Sequence, residues 1–197
     1  MSERTASVSR KTKETQIKLE LNLDGRGQCR VDTGVGFLDH MLDHLAHHGR
    51  MNLKVEASGD LEVDMHHTVE DVAICLGRAC AQALGHRKGV RRFGSASVPM
   101  EDALARVSVD LSGRPFCVYH VTYPAQKVGQ FDVELLEEFL RTFTNNVGLN
   151  LHVNVPYGTN SHHIAEAIFK ALGKALSDAV DLDPRRLQVP STKGVLE

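Results

Sequence analysis

Tryptophan is absent from the 197-residue sequence, and aromatic residues make up only 5% of it. Stacking platforms for single-stranded nucleic acid are therefore scarce. A net charge of −2 gives no broad basic field for nucleic acid or for an anionic membrane surface. No apolar run reaches the length needed to span a bilayer. The opening MSERTASVSRKTKETQ is polar and lacks the apolar core of a secretory leader, so a cytoplasmic location is expected. The first dozen or so residues are expected to be mobile. Cys29, Cys75, Cys80 and Cys117 form no Cys-x-x-Cys pair. They read as buried thiols in a reducing compartment, not as disulfides or zinc ligands. No glycine-rich phosphate loop is present, which argues against a nucleotide cofactor. Histidine, by contrast, is abundant at 11 residues, most of them clustered.

The chain repeats itself. Residues 37–84 and 135–176 each read as helix, strand, turn, His-His pair and second helix. In the first copy Met51, Leu53, Val55 and Ala57 alternate with polar residues; in the second, Leu149, Leu151, Val153 and Val155 do so. Period two marks half-buried strands. After each histidine pair the period becomes helical, through Val69, Val72, Ala73, Leu76 and Cys80, and through Ile164, Ala167, Ile168, Ala171 and Leu172. Ahead of each helix lies an expected strand pair. One is Ile17–Leu23 with a turn at Asp24–Gly27; the other is Val107–Leu111 with a turn at Ser112–Pro115 and a second strand near Phe116–Val121. The expected fold is α+β: two duplicated β-β-α-β-α halves, residues 1–89 with a polar arm and residues 90–197 with a C-terminal tail, their sheets packed with a layer of helices. The join is expected near Gly85–Ser97.

Both copies carry His-His-x-x-Glu: His66, His67 and Glu70, then His162, His163 and Glu166. Imidazole nitrogen and carboxylate oxygen are standard ligands for divalent metals, and the lack of sulfur favours Mn, Fe or Co, with Zn admissible. Residues three and four apart on a helix share a face, so each glutamate can stand beside its histidines. Adjacent helical residues point about 100° apart, so the two histidines of a pair serve different ions. Each ion then takes one histidine from each pair, within a chain or across a subunit interface. The preceding helix offers another donor. His40 aligns with Glu138 in the repeat, which brings the donors to His40, His66, His67, Glu70, Glu138, His162, His163 and Glu166. Shared between two ions, this set leaves open positions for catalysis. His44 and His47 read as surface residues, and His86, His120 and His152 as structural.

The segments GFLDHMLDHLAHHG, DMHHTVEDVAICLG, RFG, DLSGRP, NSHHIAEAIFKALGKAL and PSTKGVL, in this order from about Arg10 onward, resemble the imidazoleglycerol-phosphate dehydratases of histidine biosynthesis. The resemblance implies a lyase that removes water from D-erythro-imidazole-glycerol phosphate to give imidazole-acetol phosphate. It also implies a fold like the second domain of ribosomal protein S5, two Mn²⁺ ions per active site, and a homo-oligomer of about 24 subunits with sites at subunit contacts. By motif position one ion takes His40, His67, Glu70 and His163; the other takes His66, His162, Glu166 and residue 138. Family members often carry histidine where this chain has Glu138, so that ligand is the least secure. The resemblance also implies a role for Glu14 in proton transfer, with Glu166 or a metal-bound water as alternatives. His40, His48, His66 and His162 become substrate contacts beside Glu14. Arg92, Arg114, Lys170, Ser191 and Lys193 become phosphate contacts.

Three other readings compete: a two-metal hydrolase of a small phosphate ester, an RNA-binding module, and a metal-assembled shell without catalysis. Low aromatic content and net negative charge weigh against the second.

Overall fold

The computed structural model describes residues 3–186, 188–194 and 196. Met1, Ser2 and Val195 of the tail motif lie outside them. Period-two patterning buries one face of each long strand. In β2 (Thr15–Asn22) Ile17, Leu19 and Leu21 are buried while Gln16, Lys18 and Glu20 are exposed. β6 (Ala103–Asp110) repeats the pattern with Ala105, Val107 and Val109. Each fully buried Leu or Val contributes about 1.5–3 kcal/mol over its exposed state.

The first half runs β1 (Thr5–Lys11), β2, β3 (Cys29–Asp32), α1 (Gly36–Gly49), β4 (Asn52–Gly59) and α2 (His66–Leu84). The second runs β5 (Phe93–Met100), β6, β7 (Phe116–His120), a small ladder of β8 (Lys127–Val128) with β9 (Phe131–Asp132), then α3 (Glu134–Val147), β10 (Asn150–Tyr157) and α4 (Ser161–Val180). The sheets have matching orders, β1-β2-β4-β3 and β5-β6-β10-β7. The duplication expected from sequence is thus real, but each half is β-β-β-α-β-α.

Three expectations change. The N-terminal segment from Thr5 is a strand, paired antiparallel with β2 from Thr5↔Asn22 to Lys11↔Gln16. Its single buried apolar residue, Val8, explains why its pattern reads as unstructured. The turn after β2 does not close a hairpin. β3 pairs parallel with β4, which sits between β2 and β3. A parallel neighbour needs a crossover connection, and α1 supplies it. Finally, only Cys75 and Cys80 are fully buried; Cys29 and Cys117 are half-buried, and all four are free thiols. Burial, aided by Asp43, pushes the Cys29 thiol up to about 12, so it is inert at neutral pH.

The helices pair across the duplication. α2 lies on β1 and β2, and α4 on β5 and β6, but α1 packs against α4 and α2 against α3. Two glycines in the same repeat position allow these crossings. A Cβ on Gly173 would meet Leu45 O at 2.7 Å and Gly49 N at 2.9 Å; one on Gly77 would meet Phe143 O at 2.9 Å. Any larger residue would collide with backbone, so both crossings depend on glycine.

Candidate metal centre

Each histidine pair occupies the first turn of its helix. Asn160 caps α4, its Oδ1 accepting from the backbone N–H groups of His162 and His163 at 2.9 and 3.3 Å. In α2 the Asp64 carboxylate accepts from His66 N at 2.7 Å. One turn along α4, Glu166 Oε1 lies 2.9 Å from His162 Nε2, the i to i+4 proximity expected from sequence. The α1–α4 crossing then brings His40 Nε2 to 2.9 Å from the same oxygen. Among the described residues, His40, His162 and Glu166 form the one group whose candidate ligand atoms all lie within 4.8 Å of one another.

The surroundings of this triad are cationic and partly dry. Lys170 Nζ donates to Glu166 Oε2 at 2.7 Å, and His44 Nε2 lies 3.3 Å from that oxygen. Glu166 is buried, which pushes its carboxyl up. The hydrogen bonds from Lys170, His40 and His162 outweigh burial and hold it well below the usual carboxylate range. His44 is driven down by burial first, only partly opposed by Glu166. The expectation that His44 is a surface residue is therefore corrected: the helix crossing presses its face against α4. A row of imidazoles continues along α1, His40 to His44 at 4.4 Å and His44 to His48 at 5.9 Å between ring centroids.

The second histidine of each pair does not join the triad. The rings of His162 and His163 lie 6.3 Å apart and nearly perpendicular, as do those of His66 and His67 at 6.2 Å. Each is held by an aspartate that sequence reading did not single out. His163 Nδ1 meets Asp102 Oδ1 at 2.5 Å, and His67 Nδ1 meets Asp60 Oδ2 at 3.0 Å. The Asp60 hydrogen bond raises the His67 pKa above its ordinary value, and Glu14 adds to the effect.

The remaining candidates are spread over other elements. His66, His67 and Glu70 are half-buried on α2. Glu138, on α3, accepts from Thr142 Oγ1 at 2.9 Å; α3 stands to α2 as α1 stands to α4, so Glu138 occupies the slot corresponding to His40. Glu14 is exposed in the β1–β2 turn. Arg92 is pinned by Asp110 at 2.7 Å and donates to Pro190 O at 2.8 Å. It borders a cavity of about 700 Å³ shared with Arg185, Arg186, Ser191 and Thr192. Lys193 and Arg114 are exposed, the latter in the turn after β6. Lys170 is remote in sequence from the tail and sits at the triad. The arrangement within one chain also differs from the ion sets implied by resemblance, which separate His40 from His162 and Glu166.

Residues 33–176 match the family described as imidazoleglycerol-phosphate dehydratase, and a protein of that name from Geobacter metallireducens is 56% identical over 193 residues, 98% of this chain and 99% of its own. The chain belongs to that family. It is accordingly a hydro-lyase. Solved structures agree. Imidazoleglycerol-phosphate dehydratase from Staphylococcus aureus superposes with a TM-score of 0.83 at 37% identity, covering 91% of this chain and 99% of that one. IGPD from Pyrococcus furiosus gives 0.84 at 38%, covering 96% and 100%. Family membership, the duplicated fold and the triad coincide in one molecule. Among the described residues, no helix is long and apolar enough to cross a membrane.

Proposed function

We propose that this chain catalyses the metal-dependent dehydration of D-erythro-imidazole-glycerol phosphate to imidazole-acetol phosphate and water, in L-histidine biosynthesis in the cytoplasm. The observation that carries the reading is the triad of His40, His162 and Glu166 in a chain of this family. The donors suit a divalent ion. Two imidazoles and a carboxylate bring nitrogen and oxygen atoms into one small volume, without sulfur, which suits Mn, Fe or Co, and Mn²⁺ is the ion the family resemblance implies. Three donors from one chain leave a coordination sphere incomplete. His67 and His163, held outside the triad, are the candidates to complete such spheres from a neighbouring subunit. That reading fits a homo-oligomer of about 24 subunits with two ions per site.

When bound, the ions supply Lewis acidity toward the imidazole of the substrate. The protein residues do the rest. Glu14, exposed at a strand turn, is the proposed proton-transfer group, with Glu166 as the alternative. Glu138, His66 and Glu70 are proposed as further ligands of the pair of ions. His48 extends the imidazole row toward the substrate. Arg92, Arg114, Lys170, Ser191 and Lys193 are proposed to fix the phosphate, the arginines as planar forks and the lysines as point charges.

The test uses chelated, full-length protein. Adding Mn²⁺ with imidazole-glycerol phosphate should restore formation of a ketone product without release of inorganic phosphate. Phosphate release would support the hydrolase reading instead. Full turnover in the rigorously metal-free protein would overturn the metal-dependent mechanism.

A further inference from the structure

The two aspartates behind His67 and His163 are not repeat equivalents. β2 and β4 pair Leu21 with Leu53; β6 and β10 pair Val109 with Leu151. Counting back along β2 and β6 from this register, Glu14 is the counterpart of Asp102. Beyond the one-residue bulge between Asn154 and Tyr157 of β10, Asp60, which directly follows β4 opposite Glu14, corresponds to Thr159, opposite Asp102. The duplication therefore copied the histidines but not their carboxylate partners. Each half supplies an acid to the same ring atom, Nδ1 of the second histidine, from a different strand end. Arrival at one contact by two routes is what a functional requirement produces, because a copied accident would use equivalent residues.

We infer that Asp60 and Asp102 are positioning residues that fix the tautomer and aim of His67 and His163, leaving Nε2 of each ring bare to bind a metal ion. This inference rests on the metal-dependent reading above. An ionised carboxylate can only accept, so Nδ1 carries the proton, and in the neutral ring Nε2 is left with the lone pair. Such carboxylate–histidine pairs orient metal ligands and raise their basicity. Asp102 is held firmly for this task. Its Oδ2 accepts from Thr159 N at 2.5 Å, Thr159 Oγ1 at 2.8 Å and Asn160 N at 2.9 Å, while Oδ1 takes His163. Asp60 is pinned by its own N–H, which donates to Glu14 O at 3.1 Å, and both of its oxygens lie near His67 Nδ1, at 3.2 and 3.0 Å. With Asp60 serving His67, the Glu14 carboxylate makes no hydrogen bond or salt bridge among the described residues. Its counterpart Asp102 is fully committed.

This difference sets the test. In Asp102→Asn the three donors at Oδ2 hold the amide carbonyl there, so the NH₂ group faces His163 Nδ1. That ring must then protonate at Nε2, the wrong tautomer for a ligand. In Asp60→Asn the amide can turn its oxygen to His67 and keep the tautomer. Mn²⁺ affinity of the assembled, full-length protein, read from the EPR signal of free Mn²⁺, should fall about 10- to 100-fold in Asp102→Asn and in Asp60→Ala. Asp60→Asn should fall much less. Thermal stability of the chelated Asp102→Asn protein should stay near wild type, because its loop contacts survive. His163→Ala is the control. If His163→Ala loses affinity while Asp102→Asn and Asp60→Ala bind as wild type, the positioning role is wrong and the metal reading stands. If wild type itself binds no Mn²⁺, the metal reading fails; if it binds and His163→Ala binds alike, His163 is no ligand and the inference falls while the metal reading stands. Should Asp102→Asn not fold, Asp60→Ala against Asp60→Asn decides alone: equal affinities overturn the inference.

Discussion

His44 Nε2 lies 3.3 Å from Glu166 Oε2, across the crossing of α1 and α4. The contact completes a ring of donors around one carboxylate, with Lys170 on the same oxygen and His40 and His162 on the other. Glu166→Gln keeps the shape but loses the charge and sets an amide N–H against these donors. We expect a loss of about 10²-fold or more in kcat, the scale seen when one preorganised electrostatic group is removed, with weakened Mn²⁺ binding. Steady-state rates together with a Mn²⁺ titration check this, and an unchanged rate would remove Glu166 from the centre.

Lys170 neutralises the carboxylate that is to hold a cation. Lys170→Met, of similar length, should therefore tighten Mn²⁺ binding while weakening capture of a phosphorylated substrate. Tightening by a few-fold corresponds to about 1 kcal/mol, ordinary for a partly screened charge. KM should rise more than kcat falls. Weaker metal binding in this variant would contradict the placement of Lys170 as a competitor for Glu166.

The helix crossings provide a matched pair of variants. Gly173→Ala and Gly77→Ala each force a Cβ into backbone of the facing helix. The overpacking cost of about 1–3 kcal/mol exceeds the gain of about 1 kcal/mol in helix propensity at its upper range. Both should lower Tm. Only Gly173→Ala shifts α1 against α4, so only it should separate His40 from Glu166 and disturb that ion site. Calorimetry paired with metal titration distinguishes the two; equal effects on the His40 site would break the link between crossing and chemistry.

Arg4 ties β1 to the rest of the chain by its bond to Asp24 at 2.6 Å and to Val180 O at 2.5 Å. The Arg4 hydrogen bond holds the Asp24 carboxyl below its ordinary value of 3.8, against an opposing effect of burial. A lowered folded pKa gives stability that is present above the unfolded value and lost as pH falls through the folded one. Asp24→Asn should therefore cost about 0.5–1 kcal/mol at pH 7, discounted because the pair is partly exposed. The difference should shrink as pH falls below the ordinary carboxylate value and vanish once the folded carboxyl is itself protonated. Denaturation of the chelated protein at several pH values checks this; a penalty that persists in acid would assign it to packing.

Much of this was legible in the chain itself. The strands β2, β4, β6 and β10 and the helices α2 and α4 announce themselves through period, and the twin His-His-x-x-Glu motifs mark where chemistry gathers. The outer strands β1 and β5 were not visible, because an edge strand that buries little carries little pattern; β5 offers Gly94, Ser95, Ala96 and Ser97 where a core strand would offer Val or Ile. The role of His44 depends on α4, over a hundred residues away. Asp60 and Asp102 sit in turns, where an acid is commonplace. Their signal is the failure of repeat symmetry, Asp60 matched by Thr159 and Asp102 matched by Glu14, and it can be read only once the strand register is known.

The exchange of helices between the halves bears on origins. His40 comes from the N-terminal copy, whereas His162 and Glu166 come from the C-terminal copy. A half-length forebear folding as β-β-β-α-β-α could have gathered such a triad only by embracing a twin. In the duplicated chain that embrace is intramolecular, and the paired slots hold different residues, His40 in one and Glu138 in the other.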